Sequence, residues 1–289
     1  MIAALRLLAV LWLAGCAARG TKGSGEAARP RRLLVVVIDQ MRPDYIDRLA
    51  LPTLTAVRAR SAHFPDAIVG HLSSKTIVSH AVLPRGVWPK RIGWSDEVFR
   101  DADGKLGRPG ARWDTGSLSL EQMERMIGPG VTPVWRAFEK RAAFAIGVKD
   151  YAVNAMAAHG AAAITLEKIR SGGTHQGWLK PAGRGLPSYI AEPVGGRFWI
   201  DGRPAYGTEQ NAYPLGGHKF IPGNDPAHLG GDEWATDAAL AVMEREDWGT
   251  LLLTLGGVDK VAHMFGADRD LDSPNASSVR LEDMIRVAD

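Results

Sequence analysis

Residues 32–39 read Arg-Leu-Leu-Val-Val-Val-Ile-Asp. A continuous apolar, β-branched run of this kind is the pattern of a parallel strand covered on both faces, and it stops abruptly at Asp39. The arrangement recurs twice. Residues 143–148 (AFAIGV) run into Lys149-Asp150, and residues 250–255 (TLLLTL) run into Gly256-Gly257-Val258-Asp259. Between these runs the sequence predicts helices: over 52–60 with Pro52 near the start, from Thr76, from Thr132-Pro133 to about Ala142, after a capping Asp150, and over 232–246. Strands alternating with helices predict an α/β fold, a mostly parallel sheet with helices on both faces. In such sheets ligands gather at the carboxyl ends of the strands. Asp39, Lys149 and Asp259 are placed there.

Outward from this framework the chain divides. Residues 1–16 (MIAALRLLAVLWLAGC) carry Arg6, a short apolar stretch and small residues before the sole cysteine, Cys16. The stretch is too short to span a bilayer as a mature helix and has the form of a secretory signal. Residues 17–31 lack a hydrophobic pattern and read as a flexible linker. Residues 32–289 form the predicted catalytic domain. Within it, 101–130 read as loop, and the Gly- and Pro-rich 171–231 read as a cap or insertion with a hairpin around 198–202.

Composition narrows the function classes. The chain is 45% hydrophobic and 23% charged, ordinary for a globular protein. A formal charge of +3 with no dense Lys/Arg stripe gives no reason to expect binding to a nucleic-acid duplex. One cysteine excludes structural disulfides and thiolate metal sites from the body of the protein.

The residues that carry chemistry lie in three segments, 35–45, 73–94 and 254–266. A carboxylate fixed at a sheet edge, Asp39, suits a divalent cation; a turn or cap aspartate is the plain alternative. Asp259 and His263 are four apart, so on a helical turn they share one face, and one oxygen with one imidazole nitrogen suits zinc. The alternative is a capping Asp and a surface His. Thr76 at a helix start would have its hydroxyl near free backbone N–H groups that favour phosphate oxygens, or would simply cap the helix. Ser73, Ser74 and Lys75 are its neighbours, and His80 reads as buried support for that helix.

Taken together these segments resemble the alkaline phosphatase superfamily, in its type I phosphodiesterase/nucleotide pyrophosphatase branch. In that pattern an Asp follows the first strand (Asp39), a Thr or Ser nucleophile opens a helix (Thr76), and a His comes four residues on (His80). A Gly-x-x-P turn follows (Gly86-Val87-Trp88-Pro89), and later an Asp-x-x-x-His (Asp259, His263). The resemblance implies a two-metal phosphoric-ester hydrolase with Thr76 as nucleophile and two divalent ions, zinc with manganese as the alternative. Asp39 and Thr76 would serve one ion, Asp259 and His263 the other. Its substrates would be small phosphate esters or nucleotides. Lys149 resembles a phosphate-contacting Lys of some monoesterases, and an ungapped count puts Glu97 where an Asn usually touches the phosphoryl oxygen. Tyr151 stands where those monoesterases have Arg. Losing an Arg and gaining a Glu disfavours a dianionic monoester, so the expected substrate is a diester, with a monoesterase as the alternative. The superfamily completes its ligand set with an Asp-His pair and a further His downstream, whereas no histidine follows His263 here. The resemblance thus implies an N-terminal fragment of a longer domain, or an inactive remnant. The ending Leu13-Ala14-Gly15-Cys16 resembles a bacterial lipobox. It implies lipidation of Cys16 and a lipoprotein held on a membrane at the periplasmic side of the cell envelope, most simply the outer membrane.

Overall fold

The computed structural model describes residues 32–138, 140–171, 174–182, 187, 189–194, 197–200, 206–207, 229–259, 262 and 276–289. Residues Arg32–Asp289 belong to one compact unit.

The first strand, β1 (Leu33–Ile38), leads through α1 (Tyr45–Arg48) to α2 (Pro52–Ala59), where proline occupies the first turn as predicted. A long irregular stretch reaches α3 (Thr76–Val82) and, past a turn at Gly86, α4 (Pro89–Ile92). The next segment differs from the expected loop. Strands β2 (Val98–Asp101) and β3 (Ala111–Asp114) form an antiparallel hairpin, and α5 (Leu120–Ile127) follows. Ser119 caps α5 in a reciprocal box with Gln122, satisfying two otherwise unpaired backbone donors.

The helix expected from Thr132 to about Ala142 is instead a short 3-10 turn, Val134–Phe138, because the chain must already be extended when β4 (Ala142–Gly147) begins. Then come α6 (Asp150–Ala157), β5 (Ala162–Ser171) and β6 (Thr174–Ala182). Lys149, not Asp150, is the N-cap of α6; the Asp150 carboxylate accepts from the Tyr151 N–H instead. Much of the predicted cap lies outside the described residues. Within it β7 (Ile190–Val194), β8 (Arg197–Ile200) and β9 (Tyr206–Gly207) form a small antiparallel sheet. The chain returns in α7 (Leu229–Arg245), β10 (Trp248–Leu255) and α8 (Ala276–Ala288).

The main sheet has the order β1-β10-β4-β5-β6, with the first four strands parallel and β6 antiparallel. Alternation sorts β10 between two layers. Leu251, Leu253 and Leu255 pack on Trp234, Ala238 and Val242 of α7, and Leu252 packs on Val153 and Met156 of α6. Fully burying such a side chain contributes about 1.5–3 kcal/mol, so these two layers hold the sheet in place. The fold class is therefore as read from the sequence. β1 is the exception to its expected environment. It lies at the margin of the sheet, and Leu34 and Val36 are 44% and 48% exposed, so one face of this strand is open.

Register brings the strand ends together. Val37 pairs with Thr254 and Ile38 with Leu255, while Thr254 pairs with Gly147 on the other side. The next residues of β1, β10 and β4 thus emerge side by side. Among the described residues no helix is long and apolar enough to cross a membrane.

Candidate active site

Asp39 is the first residue beyond β1, and its backbone N–H donates to the Leu255 carbonyl at 3.0 Å. Gln40 behind it adopts φ +63°, a left-handed conformation that non-glycine residues rarely take, and it turns the chain off the sheet. Thr76 is the first residue of α3, with Lys75 in the N-cap position and in extended conformation. The Thr76 hydroxyl does not cap its own helix. It donates across 37 residues of sequence to Asp39 Oδ2 at 3.1 Å.

Lys149 arrives from the end of β4 with its side chain 1% exposed. Its ammonium donates to Asp39 Oδ2 and, at 2.5 Å, to Asp259 Oδ2. Burial works against the ammonium, but the Asp39 and Asp259 carboxylates bonded to it outweigh that and raise the Lys149 pKa above that of an ordinary lysine. Burial likewise works against ionised Asp39. The Lys149 charge and hydrogen bond, with smaller help from His80 and Thr76, hold its carboxyl below the usual range. Tyr151 is pushed up to about 12, chiefly by burial, and so presents a neutral phenol.

His80 supports α3 from inside. It is buried, with Nδ1 2.6 Å from the Thr76 carbonyl and Nε2 2.9 Å from Thr254 Oγ1. A carbonyl only accepts, so the proton is on Nδ1, and Nε2 takes the threonine hydroxyl's proton as acceptor. Burial lowers the His80 pKa, which keeps the ring neutral.

Sequence reasoning missed Asp232. It lies in the first turn of α7, 2% exposed, and accepts the backbone N–H groups of Gly256 at 3.0 Å and Gly257 at 2.9 Å. These two bonds fix the turn that leads from β10 to Asp259. An acid in a first helical turn ordinarily reads as a partner of the helix dipole, and nothing local marks it as a clamp on a distant strand end. Both glycines are closely approached, Gly257 the more tightly. A Cβ at Gly257 would lie 2.0 Å from Met284 Cε and 2.6 Å from Asp232 Oδ2, and one at Gly256 would lie 3.0 Å from Lys149 Cε.

The structure therefore brings Asp39, Thr76, Lys149 and Asp259 to one point. His263 and Cys16 lie outside the described residues. Glu97 stands to one side, 3.5 Å from the Lys75 ammonium, which also holds Asp96 at 2.9 Å. A cleft of about 670 Å³ opens here, lined by residues 71–75 just before Thr76, by Trp88 to Lys90, and by Ser95 and Asp96. A second cleft of about 420 Å³, with Arg136, Lys140, Arg141 and His159 in its wall, lies at the opposite end of β4 beside Ala142, away from these carboxylates.

Among the described residues no three His, Cys, Asp or Glu side chains converge as a complete metal site. The donors that do meet, two carboxylates and a hydroxyl, are hard oxygens of the kind zinc, manganese or magnesium accepts. They are already gathered around a positive charge, and in chemistry they fit a divalent ion.

No curated protein and no solved structure matches the chain at a significant level. The model of the family described as type I phosphodiesterase / nucleotide pyrophosphatase matches residues 33–289. That span opens with β1 and takes in every strand and helix that builds the site. The chain belongs to the type I phosphodiesterase/nucleotide pyrophosphatase family of the alkaline phosphatase superfamily, whose members are generally metal-dependent and hydrolyse small phosphate esters or nucleotides.

Proposed function

We propose that this protein hydrolyses phosphodiesters through a Thr76 nucleophile served by two divalent ions, zinc or manganese. The observation that carries the reading is the Thr76–Asp39 hydrogen bond at the carboxyl end of the parallel sheet. A threonine hydroxyl is a weak nucleophile and needs activation. An ion held by Asp39 and Thr76, with its partner at Asp259 and His263, would lower the hydroxyl's pKa and offset charge on the phosphoryl oxygens. The chain's own part is to bind and aim. Thr76 Oγ1 forms the bond to phosphorus, the ester bond to the leaving group breaks, and water then cleaves the phosphothreonine. His80 fixes the carbonyl of the nucleophile, and Asp232 fixes the turn that presents Asp259.

Diesters are preferred because the site has little spare positive charge. Tyr151, a neutral phenol, stands where the monoesterases of the resemblance carry Arg, and Glu97 adds a negative charge beside Lys75. A dianionic monoester would lack the cation its second charge needs. Turnover of bis-(4-nitrophenyl) phosphate and 4-nitrophenyl phosphate, each with added zinc or manganese, tests this. Faster hydrolysis of the diester is expected, and a preference for the monoester would reverse the choice. No turnover of either would favour an inactive remnant.

We further propose that Cys16 carries a lipid that holds the protein on the periplasmic side of a bacterial envelope. Cys16→Ala should shift the protein from the membrane to the soluble fraction and abolish incorporation of labelled palmitate.

A further inference from the structure

The ammonium of Lys149 stands between two carboxylates that, on the proposed reading, each serve a different ion. It reaches them along a prepared path. The stem passes over Gly256, where the absent side chain leaves room: a Cβ there would be 3.0 Å from Cε, 3.2 Å from Cγ and 3.3 Å from Cδ. At its tip Nζ donates both to Asp39 Oδ2 and to Asp259 Oδ2. The Oδ2 atom of Asp39 that Lys149 holds is also the atom that accepts from Thr76.

Two physical consequences follow. The part-buried Asp39 and the buried Asp259 carboxylates repel each other and lose hydration, and an internal cation offsets that penalty. The same cation also stands in the way. A divalent ion approaching Asp39 Oδ2 meets an ammonium already bonded to that oxygen, and like charges at such separations repel strongly in a poorly hydrated site.

We propose that Lys149 is a tethered counter-ion for Asp39 and Asp259, which an entering divalent ion must displace. Lys149 therefore weakens metal binding while stabilising the ion-free fold, and its ammonium, once released, is free to meet an anionic ligand. The proposal rests on the metal-dependent reading above and concerns ion affinity rather than turnover.

The test is calorimetric titration of Zn²⁺ and of Mn²⁺ into the metal-stripped full chain and into Lys149→Leu, which keeps apolar bulk over Gly256 and carries no donor atom. The variant should bind roughly tenfold or more tightly. Its ion-free melting temperature should fall, and the rise on adding ion should exceed that of the parent. Equal or weaker ion affinity in a folded variant overturns the inference while leaving the metal-dependent reading standing. If neither protein takes up an ion, both fall. If the variant does not fold, acylation of lysines in the parent chain decides, read by peptide mass spectrometry. Lys149 should be protected without ion and labelled faster with it, and an unchanged labelling rate overturns the inference.

Discussion

Asp232 Oδ2 accepts the backbone N–H of Gly257 at 2.9 Å across 25 residues of sequence. With the matching bond from Gly256, one side chain in the first turn of α7 sets the end of β10 and hence the position of Asp259. Asp232→Ala would leave two buried N–H groups unpaired, at about 1–3 kcal/mol each. The expected result is a urea midpoint well below that of the parent, with Asp232→Asn in between. An unchanged midpoint for the alanine variant would show that the clamp carries no weight.

The same aspartate predicts an unusual pH response. Burial raises its pKa from the ordinary 3.8 to about 7, against the two N–H groups that favour the anion. Because the folded value is raised, its contribution to stability is complete below about pH 4 and is lost as pH rises toward 7. His80, lowered by burial, acts in the opposite sense. Its contribution is present above the ordinary 6.5 and is lost as pH falls below it. Thermal melts from pH 4 to 8 should show the parent losing stability relative to Asp232→Asn as pH rises through that window. Parallel curves would contradict the assignment.

Thr76→Ala should lower turnover on the order of 10³-fold or more, since losing a nucleophile removes the covalent route. Its circular dichroism spectrum should remain close to that of the parent, because the change removes one side-chain hydrogen bond at the first residue of α3, while ion affinity should fall modestly with the loss of one oxygen donor. Thr76→Ser should retain measurable activity. Parent-like rates in the alanine variant would move the nucleophile elsewhere.

Gly257→Ala should be more damaging than Gly256→Ala. The first places a methyl group 2.0 Å from Met284 Cε and beside the Asp232 carboxylate, the second against a flexible lysine stem. Overpacking of a tight site costs about 1–3 kcal/mol, and Gly257→Ala belongs at the upper end. Reversal of the order in chemical denaturation would show that the Lys149 stem is the more rigid neighbour.

Much of the scaffold was legible because β1, β4 and β10 are apolar runs that stop at polar residues, and because Pro52 marks a helix start. The hairpin of β2 and β3 was not, since its four-residue strands, VFRD and ARWD, mix charges with apolar residues. The box at Ser119 and Gln122 is a readable helix-start signal inside 101–130, whose composition otherwise reads as loop. β5 stayed hidden because alanines 161–163 continue the composition of the preceding helix. At the site, strand-end position singled out Asp39, Lys149 and Asp259. Their meeting at one ammonium, and the clamp at Asp232, depend on contacts between residues more than twenty apart, and no local pattern records those.

The one-to-one pairing of β1 with β10 has a consequence for how errors in this protein would show. Sliding β1 by a single residue would move Asp39 about 3.3 Å and turn it to the opposite face of the sheet. Thr76 would then lose its acceptor and Lys149 one of its two anchors. A misthreaded molecule would retain most of its apolar burial, yet it could not assemble the chemistry. For this sheet, catalytic competence is a more exacting reporter of correct threading than compactness or helix content.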